Sequence, residues 1–186
     1  MSITELIEIT RDALRGDLET RVQALLNEAF PEGSSTNGDY YARHGVPDRI
    51  LIAREAQQVV GHLAVYQRRV KMGDEALEIG MIGAVAAALD HRRKGRCRLL
   101  LRRAHDYLRA RSIPFSILFA FEPRLYLSSG YRLMQNETHF LDADGAWKTF
   151  VYHGSMYAEI AERPWPNRML ELAGGVVYQD IVVRRR

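Results

Sequence analysis

A chain of 186 residues is long enough for one domain with a sizeable buried core. Its 47% hydrophobic and 26% charged content excludes a disordered chain, and its one cysteine, Cys97, excludes an internal disulfide or a disulfide-built scaffold. The formal charge is only +3, yet nine of the 26 Lys/Arg fall within residues 91–111 beside one acid, Asp106. Such a local basic segment suits either a local anionic ligand or a solvated helix face.

Taken in chain order, residues 3–9 read as a first strand. Asp17 is the expected N-cap of a helix carrying Leu18, Val22, Leu25, Leu26 and Ala29 at helical spacing, which ends at the Pro31–Ser35 breaker. Residues 39–44 suggest a second short helix, and residues 45–48 a turn. A β region follows: residues 49–54, a hairpin tip at Gln57–Gln58, residues 59–72, a Gly73–Asp74 turn and residues 75–88. The last of these strands is rich in small residues (Gly80, Gly83, Ala84, Ala86, Ala87, Ala88), a pattern expected where something approaches the backbone closely.

A basic loop at residues 91–96 precedes a helix over 97–111. Phe115 to Ala120 is apolar but for Ser116 and belongs in mid-sheet. Pro123 opens another short helix that Gly130 closes, and residues 138–141 and 147–152 pair across a turn ending in Asp144–Gly145. The resulting order β-α-α-β-β-β-α-β-α-β-β is an α/β (α+β) arrangement on a mixed sheet of about seven strands. Three consecutive mid-chain strands rule out a doubly wound fold. Residues 1–154 are expected to form the domain, with 155–186 as a C-terminal extension packed on it.

No apolar run approaches the roughly 20 residues of a membrane span. Residues 1–10, with Glu5 and Glu8 and no basic flank, do not read as a secretory signal. These readings suggest a cytoplasmic protein with no membrane partner. The scattered histidines (His62, His91, His105, His139, His153) show no metal-ligand or triad spacing, so no metal is expected.

The chemistry concentrates between Gly83 and Cys97. A helix N-terminus offers unpaired N–H groups and partial positive charge, Arg92, Arg93, Lys94 and Arg96 add cations, and Gly95 lets backbone approach an anion. A diphosphate would be held there, and the small-residue strand would leave room for a thin amide-bearing chain such as pantetheine.

The run Arg92-x-x-Gly95-x-Cys97 resembles the acyl-CoA-binding motif of the GNAT superfamily of N-acetyltransferases, with Cys97 where that family has Gly or Ala. Leu125-Tyr126-Leu127-Ser128-Ser129-Gly130-Tyr131 is similar to the same family's later motif. Gln67-Arg68-Arg69 through Gly73, Leu77 and Val85 to Arg124-Leu125-Tyr126 is further similar to aminoglycoside 2′-N-acetyltransferases and to nodulation N-acyltransferases.

The superfamily resemblance implies a twisted, mainly antiparallel sheet with an acyl-CoA cleft between splayed central strands. It also implies an enzyme moving an acetyl or acyl group from acetyl-CoA to the amine of a small molecule, by direct attack in a ternary complex. Cofactor contacts then fall on Val85, Ala86, Ala87, Arg92, Arg93, Lys94, Gly95, Arg96 and Cys97. Tyr126 matches the tyrosine that protonates the departing thiolate. Glu78 is the expected proton acceptor, and Glu32 and Glu75 the expected acceptor-binding carboxylates. An aminoglycoside-like polycation would want an acidic pocket, for which Glu32, Asp39, Asp142, Asp144 and Glu171 are available. Dimers are common in the family, so a homodimer is a further implication.

Two other readings use the same residues. The basic helix suits an acidic acyl carrier protein as donor, and the fold also suits a non-catalytic acyl-CoA sensor. Nucleic acid is disfavoured, because no stacking aromatics interleave with the arginines and the total charge is small.

Overall fold

The computed structural model describes residues 3–31, 40–41, 45–141 and 145–172. In chain order these form β1 (Thr4–Ile9), α1 (Gly16–Ala29), β2 (Arg49–Glu55), β3 (Gln58–Met72), β4 (Glu75–Ala87), α2 (Arg96–Arg109), β5 (Phe115–Phe119), α3 (Arg124–Leu127), β6 (Arg132–Leu133), β7 (Thr138–Leu141), β8 (Trp147–Phe150), β9 (Ser155–Glu159) and β10 (Leu170–Leu172). The strands run in the order β6-β9-β5-β4-β3-β10-β7-β8, with β2 on β3 and β1 on β2. Pairing is parallel for β4–β5 and β7–β10 and antiparallel for β1–β2, β2–β3, β3–β10, β5–β9, β6–β9 and β7–β8. The mixed, mainly antiparallel α/β sheet is as expected, with 10 strands rather than about seven.

The chain divides into two compact units, residues 1–66 with 82–104 and residues 67–81 with 105–186. In the first, β1, β2 and the start of β3 form a ladder from Thr4↔Glu55 to Ile9↔Ile50 and from Arg49↔Val65 to Glu55↔Gln58. Consecutive residues Ile50–Ala53 are all buried, so this strand is covered on both faces and reads as a continuous apolar run. Val22, Leu25 and Leu26 of α1 and Leu100 and Leu101 of α2 belong to the same unit's core, each burial stabilising by about 2 kcal/mol. A Cβ on Gly61 would stand 3.2 Å from Leu100 Cδ1 and 3.3 Å from Ala53 Cβ, so glycine is what lets Leu100 sit against β3. The α1 cap differs from expectation. Arg15 is the N-cap, without a side-chain cap bond, and left-handed Gly16 (φ 61°) follows it. Asp17 lies in the first turn with Glu19, where a carboxylate still favours the positive helix end.

In the second unit β5 lies between β4 and β9, paired from Ile79↔Phe115 to Met81↔Ile117 and from Phe115↔Glu159 to Phe119↔Ser155. Its apolar sequence follows from that central place. Leu108 of α2 presses on β4 so closely that a Cβ on Gly80 would come within 2.4 Å of its Cδ1. Trp165 stacks on Tyr157 at 4.7 Å, meets Phe115 edge-on at 5.1 Å and donates from Nε1 to Asn136 Oδ1 at 3.0 Å. Residues beyond 154 thus supply β9, β10 and an aromatic anchor.

At two of the small residues of β4 the close approach is made by side chains of the protein itself. At Gly80 the approaching group is Leu108, and at Gly83 it is the Tyr66 ring, 3.2 Å from where a Cβ would be.

Candidate functional site

In the first unit, β4 ends at Ala87, a 3-10 turn covers Leu89–His91, and the loop Arg92–Gly95 leads into α2. Arg93 (φ 62°) and Gly95 (φ 76°) are left-handed, a geometry that gathers backbone N–H groups on one side. A Cβ on Gly95 would meet only Arg98 Nη2, at 3.9 Å, so the space beside it is open. Arg92, Arg93 and Lys94 are exposed, and none forms an ion pair among the described residues. Arg92 Nε reaches the Ala87 carbonyl at 3.5 Å.

Arg96 is engaged elsewhere. Its Nε donates to Glu55 Oε1 at 2.6 Å and its Nη2 reaches the same oxygen at 2.5 Å. The Thr4 hydroxyl also donates to Glu55 Oε1, at 3.2 Å, and His91 Nε2 stands 3.8 Å from Oε2. Burial alone would raise the Glu55 carboxyl, but the bonds from Arg96 and Thr4 and the charges of Arg96 and His91 hold it below its ordinary value. Glu55 at the end of β2 therefore ties both ends of the loop, His91 and Arg96, to one carboxylate. The sequence reading missed this residue, because nothing local distinguishes a glutamate at a hairpin.

Cys97, in the first turn of α2, is partly covered. Burial pushes its thiol up against the pull of Arg92, so it stays protonated at neutral pH and is a poor nucleophile. Val85 and Ala87 are half-buried and Ala86 is buried. Just before them Ala84 is left-handed at φ 50°, inside the strand. His62 of β3, which had no expected role, donates from Nδ1 to the Ala84 carbonyl at 2.8 Å. The available signal was a lone histidine in the apolar run Val59–Val65.

In the second unit, half-buried Tyr126 lies on α3, edge-on to the Tyr131 ring at 6.1 Å. Its carbonyl accepts the N–H groups of Ser129 (2.9 Å) and Tyr131 (3.4 Å), with left-handed Gly130 (φ 85°) closing the turn as expected. The Tyr131 hydroxyl is 2.6 Å from Ser116 Oγ and 3.1 Å from His105 Nε2. Burial pushes the Tyr131 phenol well above its usual value, and burial plus Arg109 pull His105 down to about 4, against Asp106. Both groups are therefore neutral near pH 7.

The expected carboxylates are dispersed. Glu75 is exposed and pairs with Arg163 at 2.5 Å, and Glu78 is exposed further along β4. Glu171 is half-buried on β10, opposite Lys71 and His139. Glu32, Asp39, Asp142 and Asp144 lie outside the described residues.

The model of the acetyltransferase (GNAT) domain matches residues 11–134, a span that holds the loop, α2 and the Tyr126 turn. The chain belongs to the GNAT acetyltransferase family. Solved structures share the fold of this GNAT chain. YhbS of Escherichia coli, in complex with CoA, is 17% identical with a TM-score of 0.56, over 92% of this chain and 89% of that one. ElaA of Escherichia coli is also 17% identical, with a TM-score of 0.58 over 84% and 100%. A GCN5-related N-acetyltransferase from Anabaena variabilis reaches a TM-score of 0.60 at 19% identity, over 73% of this chain. The GNAT chain spans 33% of the length of that protein and 34% of a probable N-acyltransferase from Enterococcus faecalis. Among curated proteins, no sequence matches it.

Proposed function

We propose that the chain transfers an acetyl or other acyl group from acyl-CoA to the amine of a small molecule, by direct attack in a ternary complex. The observation that carries this reading is the loop before α2, where three exposed cations, without ion pairs among the described residues, sit on a backbone left-handed at Arg93 and Gly95. Such a site calls for a compact polyanion, and the pyrophosphate and 3′-phosphate of CoA supply one. Arg92, Arg93 and Lys94 take the phosphates, with N–H groups from Gly95 to Cys97. Arg96, held on Glu55, keeps the loop in shape.

The remaining roles follow from the chemistry. The amine nitrogen attacks the thioester carbon, the C–N bond forms, and the tetrahedral oxyanion accepts a hydrogen bond from a backbone N–H within Val85 to Ala87. One such donor is worth about 3–4 kcal/mol. As the C–S bond breaks, Tyr126 gives its proton to the thiolate. With thiol and phenol pKa values of about 8.5 and 10, that help is modest. Glu78, directly or through water, takes the proton lost by the amine.

The first test is calorimetric titration of coenzyme A, which should bind in the micromolar range. The second is thiol release from acetyl-CoA across a panel of small amines. Absence of heat at millimolar coenzyme A overturns the reading. A carrier-protein donor draws support from Arg98 and Arg102, exposed one turn apart on α2. Turnover of acyl carrier protein with acetyl-CoA inert would favour that donor instead.

A further inference from the structure

The reading above leaves one fully buried polar cluster unused. His62 is 0% exposed, and both of its ring nitrogens are partnered. A carbonyl only accepts, so the bond to Ala84 places the proton on Nδ1. Nε2 is then a lone pair, and the Tyr41 hydroxyl, 2.5 Å away, donates to it. Tyr41 is itself buried, with Arg11 over its ring at 5.4 Å and Tyr40 edge-on at 5.9 Å. The imidazole is thus fixed in tautomer and orientation from one side and grips a main-chain carbonyl on the other.

That carbonyl belongs to an unusual residue. Ala84 is left-handed (φ 50°) within β4, a conformation an L-residue with a Cβ resists and a glycine would adopt freely. Glycine is instead next door at Gly83, where the Tyr66 ring packs closely, 3.2 Å from where a Cβ would be. A left-handed residue in a strand swings the peptide planes that follow it, as the first residue of a bulge does. The planes that follow here carry the N–H groups of Val85, Ala86 and Ala87. The bond to the Ala84 carbonyl is one that a hydrophobe at position 62 could not make.

We infer that His62 is a positioning residue, which clamps the left-handed turn at Ala84 and so sets the direction of the Val85–Ala87 N–H groups toward the acyl donor, with Tyr41 fixing its tautomer. The inference rests on the acyl-CoA reading for the identity of that donor. It makes His62 act on the pantetheine and thioester end of the ligand, leaving the phosphate end to the loop before α2.

The two ends can be read separately by titrating coenzyme A and adenosine 3′,5′-bisphosphate, which lacks pantetheine. His62→Leu should weaken coenzyme A about tenfold while leaving the bisphosphate unchanged. His62→Asn, whose amide N–H stands in for Nδ1–H, should restore most of the loss. Tyr41→Phe should give a smaller loss of the same pattern. In the free protein, amide chemical shifts of Val85 to Ala87 should move in His62→Leu and return in His62→Asn. Should His62→Leu fail to fold, Tyr41→Phe and His62→Asn still decide the matter through the same two ligands.

Equal losses for both ligands, or no loss for either, overturn the clamp, as does His62→Asn behaving like His62→Leu. Wild-type protein that binds neither ligand overturns the acyl-CoA reading and the assignment with it. Wild-type binding with the wrong pattern in the variants overturns the assignment alone.

Discussion

The loop before α2 and the Tyr41–His62–Ala84 cluster treat polar groups in opposite ways. The loop holds Arg92, Arg93 and Lys94 exposed and, among the described residues, without ion pairs, so a ligand meets their charges at little desolvation cost. The cluster buries an imidazole completely and satisfies both nitrogens, so its polar atoms serve the protein's own backbone. The difference teaches that affinity and geometry are supplied by different residues. Exposed cations set how tightly an anion is held, and a buried, satisfied group sets the shape of the strand end beside it.

That division can be broken most directly at the loop. Replacing Arg92, Arg93 and Lys94 together by alanine should weaken coenzyme A about a thousandfold, near 4 kcal/mol, with an unchanged melting temperature. A large loss of stability instead would show that these cations hold the fold. Titration calorimetry and a thermal melt on the same sample separate the two.

Acid should act on the buried region first. Burial lowers His62 from 6.5 to about 4, so as pH falls below 6.5 the unfolded chain takes a proton that the folded chain refuses. Stability is then lost progressively between pH 6.5 and about 4, by about 2–3 kcal/mol from this residue. His105, also lowered to about 4, acts in the same direction. The Glu55 carboxyl, held below 4.5, loses its contribution only at still lower pH, so the windows are distinct. Urea unfolding from pH 7 to about 5 should show the slope, and His62→Leu should flatten its share. An unaltered slope in that variant would mean that His62 is already charged or accessible.

Two smaller effects sharpen the comparison. Tyr126→Phe should lower kcat about tenfold on any accepted amine, with coenzyme A affinity unchanged, because a thiolate leaves tolerably unaided. Full kcat would remove Tyr126 from the chemistry. Glu55→Gln should weaken coenzyme A by about threefold through a looser loop, since an ion pair near the surface contributes little. An affinity gain would instead mean that Arg96, once released, binds phosphate directly.

Much of the fold was legible because its signals are local. β2, β3 and β4 are long, β5 is apolar but for Ser116, and Gly73, Gly130 and Gly145 are left-handed at the turns where glycine was read as punctuation. The short strands β6, β9 and β10 were not legible, since two to five residues carry no periodicity and gain their identity only from the neighbours they pair with. At the site, Arg92 to Gly95 and Tyr126 could be read from charge, glycine spacing and motif. Glu55 and His62 could not, because their partners Arg96 and Ala84 lie 41 and 22 residues away in sequence.

The sequence by itself determined the mixed α/β class, the cationic loop ahead of α2 and the family, because each rests on residue types at short spacing. Only the tertiary structure decided which arginine is spent on Glu55, why Gly80 and Gly83 must be small, and that a buried imidazole grips the bend in β4. Those features depend on side chains meeting from distant segments, and burial and hydrogen-bond geometry exist only once the chain has folded.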